Sequence, residues 1–217
     1  MTQTPDTHHE QSRAAVRRAQ VLKAATECFR LHGFHSTSIV QISKAAGMSV
    51  GHIYHYFANK EAIIAGIVEQ DLQQVLMFCE RIRKNSAGGD LIEAMVDDLR
   101  HFKQDMQEQD IPLTLEVVAE AARNPAVAAI VQAADQTVQL RFRELLAEAM
   151  QLRGLEIDEK ECVGTLEALS ALFDGLAMRL VRNPQLDPET CVPALRSLLA
   201  HALEELATKA RRKSSAH

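Results

Sequence analysis

The 217-residue chain has no tryptophan and two tyrosines, and aromatic residues make up only 4% of it. Both tyrosines, Tyr54 and Tyr56, fall in one short stretch, VGHIYHYFANKE, at residues 50–61. No apolar run approaches the roughly 18 to 20 residues needed to cross a bilayer. The N-terminal MTQTPDTHHEQS lacks the basic-then-apolar layout of a signal peptide, so a cytoplasmic location is expected. Alternating apolar and polar runs are missing too, which removes β-strands from the expectation. The four cysteines, Cys28, Cys79, Cys162 and Cys191, are far apart and form no CxxC pair. They read as small buried thiols, with a redox switch as the lesser alternative, and not as a zinc or dithiol centre. HExxH, P-loop and GxGxxG patterns are missing, and the GxSxG spelled by GMSVG (47–51) falls in the turn between two predicted helices and not after a strand, so no enzyme and no cofactor is expected.

What is present is a chain of 24.1 kDa, 47% hydrophobic and 24% charged, a balance typical of a soluble globular protein of one or two domains. The net charge of −5 hides an asymmetry. Residues 11–60 carry seven Lys/Arg (Arg13, Arg17, Arg18, Lys23, Arg30, Lys44, Lys60) against Glu27, whereas residues 61–217 hold 17 bases and 26 acids. A basic head on an acidic body suits binding of a polyanion by the head.

Apolar residues recur at three- and four-residue spacing almost throughout, so the chain is read as all-α. A first helix, with Leu22, Ala25, Cys28 and Phe29 as its apolar stripe, ends near Leu31 or His32 before Gly33. Ser38 and Gln41 form a capping-box pattern for a second helix that ends at Gly47. Ser49 caps a third, which stops near Phe57, and Asn59 caps a long fourth. Two short helices joined by a Gly-containing turn make a helix-turn-helix. Beyond a linker at 85–90, five more helices are predicted: 91–109, 113–123, about 124–152, about 159–181, and a ninth opening at DPET (187–190). The domain plan is a disordered N-terminus (1–12), a helix-turn-helix head (13–58), a larger helical domain (59–210) and a basic tail (211–217).

At roughly 100° per residue the third helix turns Ile53, Phe57 and Val50 to one side and Gly51, His52 and His55 to the other. Tyr54 and Tyr56 lie on opposite flanks, placed to pack their rings inward and aim their hydroxyls outward at phosphates. Arg17, Arg18, Thr37, Ser38, Lys44 and Lys60 are further candidate phosphate donors. Base choice falls to His52 and His55, with Ser49 and Val50 beside them and Gly51 permitting close approach. His52 and His55 could share a metal in principle, but no third ligand is near, so none is expected.

The stretch VLKAATECFRLHGFHSTSIVQISKAAGMSVGHIYHYFANKEAII resembles the tetracycline-repressor-like (TetR) family of transcriptional regulators over about residues 16–66. The resemblance implies a homodimer whose paired heads bind a near-palindromic operator on double-stranded DNA, and a variable helical domain that binds a small effector. It places phosphate contact on Thr37, Tyr54, Tyr56 and Lys60, and base reading on Val50, Gly51, His52 and Tyr54. His52 departs from the small residue usual there, and Val50 from the frequent lysine, so no relative's operator transfers to this chain.

In the body, predicted helix 8 (VGTLEALSALFDGLAMRLV) is apolar nearly all round, and helix 9 carries two apolar sets. Both suit a two-fold four-helix bundle, with Leu169, Leu172, Leu176, Leu195, Leu199, Ala202 and Leu206 at the interface. Phe102, Met106, Phe142, Phe173 and Met178 are candidate pocket residues. Arg141 lies within about 60° of the stripe Val127, Ala134, Val138, Leu145. It either pairs with an internal acid such as Glu116 or Asp174 or anchors an anionic effector. The expected function is a repressor that a small molecule releases from its operator; the alternative is an architectural or division-control DNA-binding protein of the same fold with no effector.

Overall fold

Glycines and capping side chains set the ends of the first helices. In the computed structural model, which describes the backbone of residues 6–86 and 90–214 and the side chains of residues 13–86 and 90–212, α1 spans Asp6–His32. It stops where Gly33 takes φ +75°, a left-handed conformation that costs glycine nothing. Helix α2 (Ile39–Ala45) opens on the expected capping box, with Ser38 and Gln41 each satisfying the other's backbone N–H, and Gly47 at φ +62° follows it. Ser49 caps α3 (Val50–Tyr56) by accepting the His52 N–H at 3.2 Å, and Asn59 accepts the Ala62 N–H at 2.8 Å at the start of α4 (Lys60–Ser86).

The predicted helix over 91–109 is interrupted: α5 (Leu91–Asp98) passes through a 3-10 turn, Leu99–His101, into α6 (Phe102–Glu108). Three residues at roughly 120° instead of roughly 100° rotate the following face by about 60°. Met95, Leu99 and Phe102 are all buried across the turn. Helix α7 (Ile111–Ala121) begins two residues earlier than predicted, because Pro112 is tolerated in a first turn where its missing N–H has no partner to lose. Then follow α8 (Pro125–Leu152), α9 (Glu159–Arg182) and, after a 3-10 turn at Pro188–Cys191, α10 (Val192–Ser214). The architecture is all-α, with no strand among the described residues. Counting α5 and α6 as one interrupted helix gives nine.

Helix α1 already runs from Asp6, inside the stretch 1–12 expected to be disordered, and residues 1–5 lie outside the described residues. So do residues 87–89 of the expected linker and 215–217 of the expected basic tail.

The chain divides into two compact units, Met1–Gln70 with Pro112–Ala133, and Asp71–Ile111 with Ala134–His217. In the first, Val21, Ala25, Phe29, Ile42, Ile53 and Phe57 pack with Ile63, Ile64 and Ile67 of α4 and with Leu113, Val117 and Val127. Gly66 gives that packing its room: a Cβ there would stand 2.9 Å from Leu22 Cδ2 and 3.2 Å from Phe57 Cε1, so those side chains would have to shift. In the second unit, α5, α8, α9 and α10 bury Ile92, Met95, Leu145, Leu146, Met150, Leu166 and Leu203 around one aliphatic centre. One window of α4 is long and apolar enough to cross a membrane by composition alone, contrary to the expectation that no run approaches that length. The isoleucines that raise its hydropathy, Ile63, Ile64 and Ile67, are core residues here.

Candidate nucleic-acid interface

Helix α3 is held by two anchors. Ile53 and Phe57 are 0% and 2% exposed, and the Phe57 ring carries the Arg18 guanidinium 4.4 Å above it. With one side locked into the core, the other faces out: Ser49, Gly51, His52, Tyr54 and His55 are exposed, and Val50 and Tyr56 are half-buried. Gly51 is notable because the protein itself does not require it. Its φ is not in the left-handed range, and a Cβ added there meets nothing within 4 Å.

The tyrosines differ more than their symmetric flanking positions suggest. Tyr54 is 52% exposed. Tyr56 packs against the head's core, stacks on His52 with ring centroids 5.4 Å apart and 27° between planes, and touches His55 edge-on at 5.0 Å. Its hydroxyl lies 3.4 Å from His52 Nε2, so it is directed at the histidine.

The candidate phosphate donors separate into outward and inward groups. Lys44 is exposed at the end of α2, and exposed Arg17 donates to Gln20 Oε1 at 3.0 Å while Gln20 in turn donates to the Ala46 carbonyl at 2.7 Å. Gln20, which nothing in the sequence singled out, thus ties α1 to the end of α2. Ser38 spends its hydroxyl on Gln41. Thr37 is turned inward: it is 1% exposed, with its hydroxyl 2.8 Å from the Gly33 carbonyl and 3.1 Å from that of Cys28. Lys60 also turns in, its ammonium 2.7 Å from the Phe34 carbonyl, 2.8 Å from that of Thr37, 3.4 Å from that of His35, and over the Phe34 ring. An ammonium has three donors, and all three are occupied. The α1–α2 turn exposes carbonyls that need a cation, and Lys60 is the one that reaches them.

Glu116 closes the same turn from α7. Its Oε1 accepts the Phe34 N–H at 2.7 Å, and a Cβ at Gly33 would stand 3.0 Å from that oxygen.

The candidate pocket residues Phe102, Met106, Phe142 and Phe173 belong to the second unit's core, Phe102 facing Phe173 at 6.1 Å and Phe142 meeting Phe78 edge-on at 5.9 Å. Met178 is instead 41% exposed. Arg141 pairs with Glu144 one turn along α8 at 2.8 Å, not with Glu116 or Asp174. In that half of α8 the buried stripe is Leu145, Leu146, Ala149 and Met150, which centres roughly 110° away from Arg141. Two buried charges that sequence missed are Glu120, paired with Arg123 at 2.9 Å, and Asp98, whose carboxylate takes two hydrogen bonds from Arg81, at 2.9 and 2.7 Å, while Arg81 also holds Asp105.

Of the expected interface residues, Leu195, Leu199 and Leu206 are buried within the subunit, and Leu169, Leu172 and Leu176 are half-buried against the same core. A groove of about 490 Å³ runs along α9 and α10, lined by Leu169, Leu172, Leu198, Ala202 and Leu206. Leu198 stands 53% exposed in it.

A three-helix head presenting an anchored helix with an open polar face is a helix-turn-helix DNA-binding module. The profile described as bacterial regulatory proteins, tetR family, matches residues 21–67, and that of the BetI-type transcriptional repressor C-terminal region matches residues 90–207. The chain belongs to the TetR family of DNA-binding transcriptional regulators. It is similar to the HTH-type transcriptional regulator UidR of Escherichia coli K12, with 33% identity over 141 residues that cover 65% of this chain and 70% of UidR. CymR of Pseudomonas putida, also an HTH-type transcriptional regulator, is 25% identical over 180 residues, 81% of this chain and 85% of CymR. Among solved structures, Salmonella enterica GusR superposes with a TM-score of 0.70 at 29% identity, over 87% of this chain and 95% of that one.

Proposed function

We propose that the chain acts as a homodimeric repressor whose two α3 helices read the half-sites of a near-palindromic operator and which a small molecule releases. The observation that carries this reading is the outward face of α3, where Gly51, His52 and His55 stand open to solvent while Ile53 and Phe57 fix the helix from behind. Lys44 and Arg17, exposed on the neighbouring helices, supply cations for the flanking phosphates. The division of labour is residues 13–58 for DNA and 59–210 for sensing and pairing, and a cytoplasmic location follows from that role.

Dimerisation through α9 and α10 is supported by the groove they form, in which Leu169, Leu172, Ala202 and Leu206 are flanked by Lys160, Glu161, Glu205 and Lys209, and by Leu198 exposed in it. Release by an effector would act through α4, a single helix that places Ile63, Ile64 and Ile67 in the head's core and Ile82 in the core of the second unit. A ligand that displaces its far half displaces those anchors, and so shifts the spacing of the paired α3 helices from the roughly 34–36 Å that successive major grooves require.

The test is a selection of the full-length protein against a randomised duplex pool, followed by footprinting of the selected site. Two inverted half-sites about one helical turn apart are expected. Enrichment of a lone half-site, or of no motif, would sink the reading.

A further inference from the structure

Resting on the reading of α3 as the DNA-contacting helix, we propose that His52 reads a guanine through Nδ1–H and that Tyr56 is the positioning residue that makes this nitrogen a donor. Tyr56 is fixed first: its ring is half-buried against the head's core, so its hydroxyl has a defined place one helical turn from His52. The two rings stack at 5.4 Å and 27°, and the hydroxyl lies 3.4 Å from Nε2. The His52 backbone is fixed as well, its N–H bound by the Ser49 cap at 3.2 Å.

A neutral imidazole has one donor and one acceptor nitrogen, and a phenol supplies a proton to the acceptor. With Nε2 accepting from Tyr56, the ring proton is on Nδ1. If the ring takes up a second proton, Nε2 donates to the Tyr56 oxygen and Nδ1 is still a donor. The other neutral tautomer, with Nε2–H donating to the phenol oxygen, leaves Nδ1 an acceptor; because a phenol donates more strongly than it accepts, the Tyr56 hydroxyl biases the free nitrogen toward the donor form.

That constraint carries sequence information. In the major groove a donor is matched best by guanine, whose O6 and N7 are two adjacent acceptors, less well by the single acceptors adenine N7 and thymine O4, and it is opposed by the N4 amine of cytosine. Helix α3 has no lysine or arginine to supply this contact by the commoner route, since its sequence is VGHIYHY. Without the hydroxyl, the imidazole can exchange tautomers and present an acceptor to cytosine, so selectivity relaxes.

The experiment compares base preference, not affinity alone, for full-length wild type, Tyr56→Phe and His52→Ala. Wild type should select guanine at one position of each half-site. His52→Ala should lose preference at that position only, and Tyr56→Phe should lower the guanine-to-cytosine ratio there by roughly fivefold to tenfold, the equivalent of one hydrogen bond. Imidazole nitrogen NMR of the free protein should show the Nδ1–H form of His52 in wild type and a mixture in Tyr56→Phe. Tyr56→Phe selecting the wild-type motif with all sequences weakened in parallel would overturn the inference and make Tyr56 a phosphate contact, leaving DNA reading by α3 intact. An unchanged motif from His52→Ala would also overturn it. A wild-type protein that selects no motif would sink the underlying reading as well.

Discussion

Glu116 Oε1 accepts the backbone N–H of Phe34 at 2.7 Å, linking residues 82 apart in sequence. The amide it holds lies in the turn that leads from α1 into the helix-turn-helix, beside Gly33 at φ +75°. On the other side of that turn, Lys60 binds the carbonyls of Phe34 and Thr37. One carboxylate and one ammonium therefore satisfy opposite polarities of the same short segment.

Glu116→Ala leaves the Phe34 amide without an acceptor in a partly buried site, which should cost about 1–3 kcal/mol of stability. Glu116→Gln keeps an acceptor oxygen and should cost less. Urea midpoints for the two variants check this; equal losses would show that the charge matters and the acceptor does not.

Gly51→Ala separates folding from binding. No heavy atom lies within 4 Å of the added methyl, and alanine favours helix, so stability should hold or rise by up to about 1 kcal/mol. Operator affinity should fall roughly tenfold, because the methyl enters the space between α3 and the base edges. Unchanged affinity in a mobility-shift titration would remove Gly51 from the DNA-contacting face.

Leu198→Arg places a charge in the α9–α10 groove at a position 53% exposed in the single chain. The subunit should stay folded, while dimer association should weaken by at least about 100-fold if the partner covers this face. Analytical ultracentrifugation reads the outcome directly. A variant as dimeric as wild type would put the interface elsewhere.

Asp90 provides a pH test. It caps α5 by accepting the Ile92 and Glu93 amides and pairs with Arg153, which also holds Glu204 at 2.7 Å. Burial alone would raise its carboxyl, but the Arg153 guanidinium and the two amides outweigh burial and hold it below the usual range. A depressed carboxyl contributes stability that is complete above its unfolded value near 3.9 and is lost as pH falls through the folded value. Asp90→Asn keeps a capping oxygen but loses the charge, so it should lower stability at pH 7 by on the order of 1 kcal/mol. The gap from wild type should close as pH falls through the depressed folded value of this carboxyl, as thermal melts over an acid pH series would show.

The helix ends were legible because each depends on local chemistry. Ser38 with Gln41, Ser49, Asn59, Gly33 and Gly47 act within a few residues of themselves, and all behave as their sequence contexts indicate. The helix-turn-helix and its outward face were legible for the same reason, since helical periodicity fixes which side of α3 holds Ile53 and Phe57. The phosphate set was only partly legible. Thr37 and Lys60 have the residue types of phosphate contacts, but the α1–α2 turn has its own polar groups to satisfy and claims both side chains. Arg141 failed for a different reason: the buried side of α8 drifts along its length, so a stripe extrapolated from Val127 does not hold at residue 141.

By itself the sequence determined the all-α class, the caps and glycines that cut the helices, the basic head and the outward face of α3, because local hydrogen bonding, backbone conformation and helical periodicity act over a few residues. Only the tertiary structure decided that Glu116 completes a turn 82 residues away, that Leu113, Val117 and Val127 join the head's core, and that Tyr56 turns its hydroxyl to His52. Those relationships depend on which faces meet across long chain separations, and burial of apolar surface, which drives the meeting, is indifferent to position in the sequence.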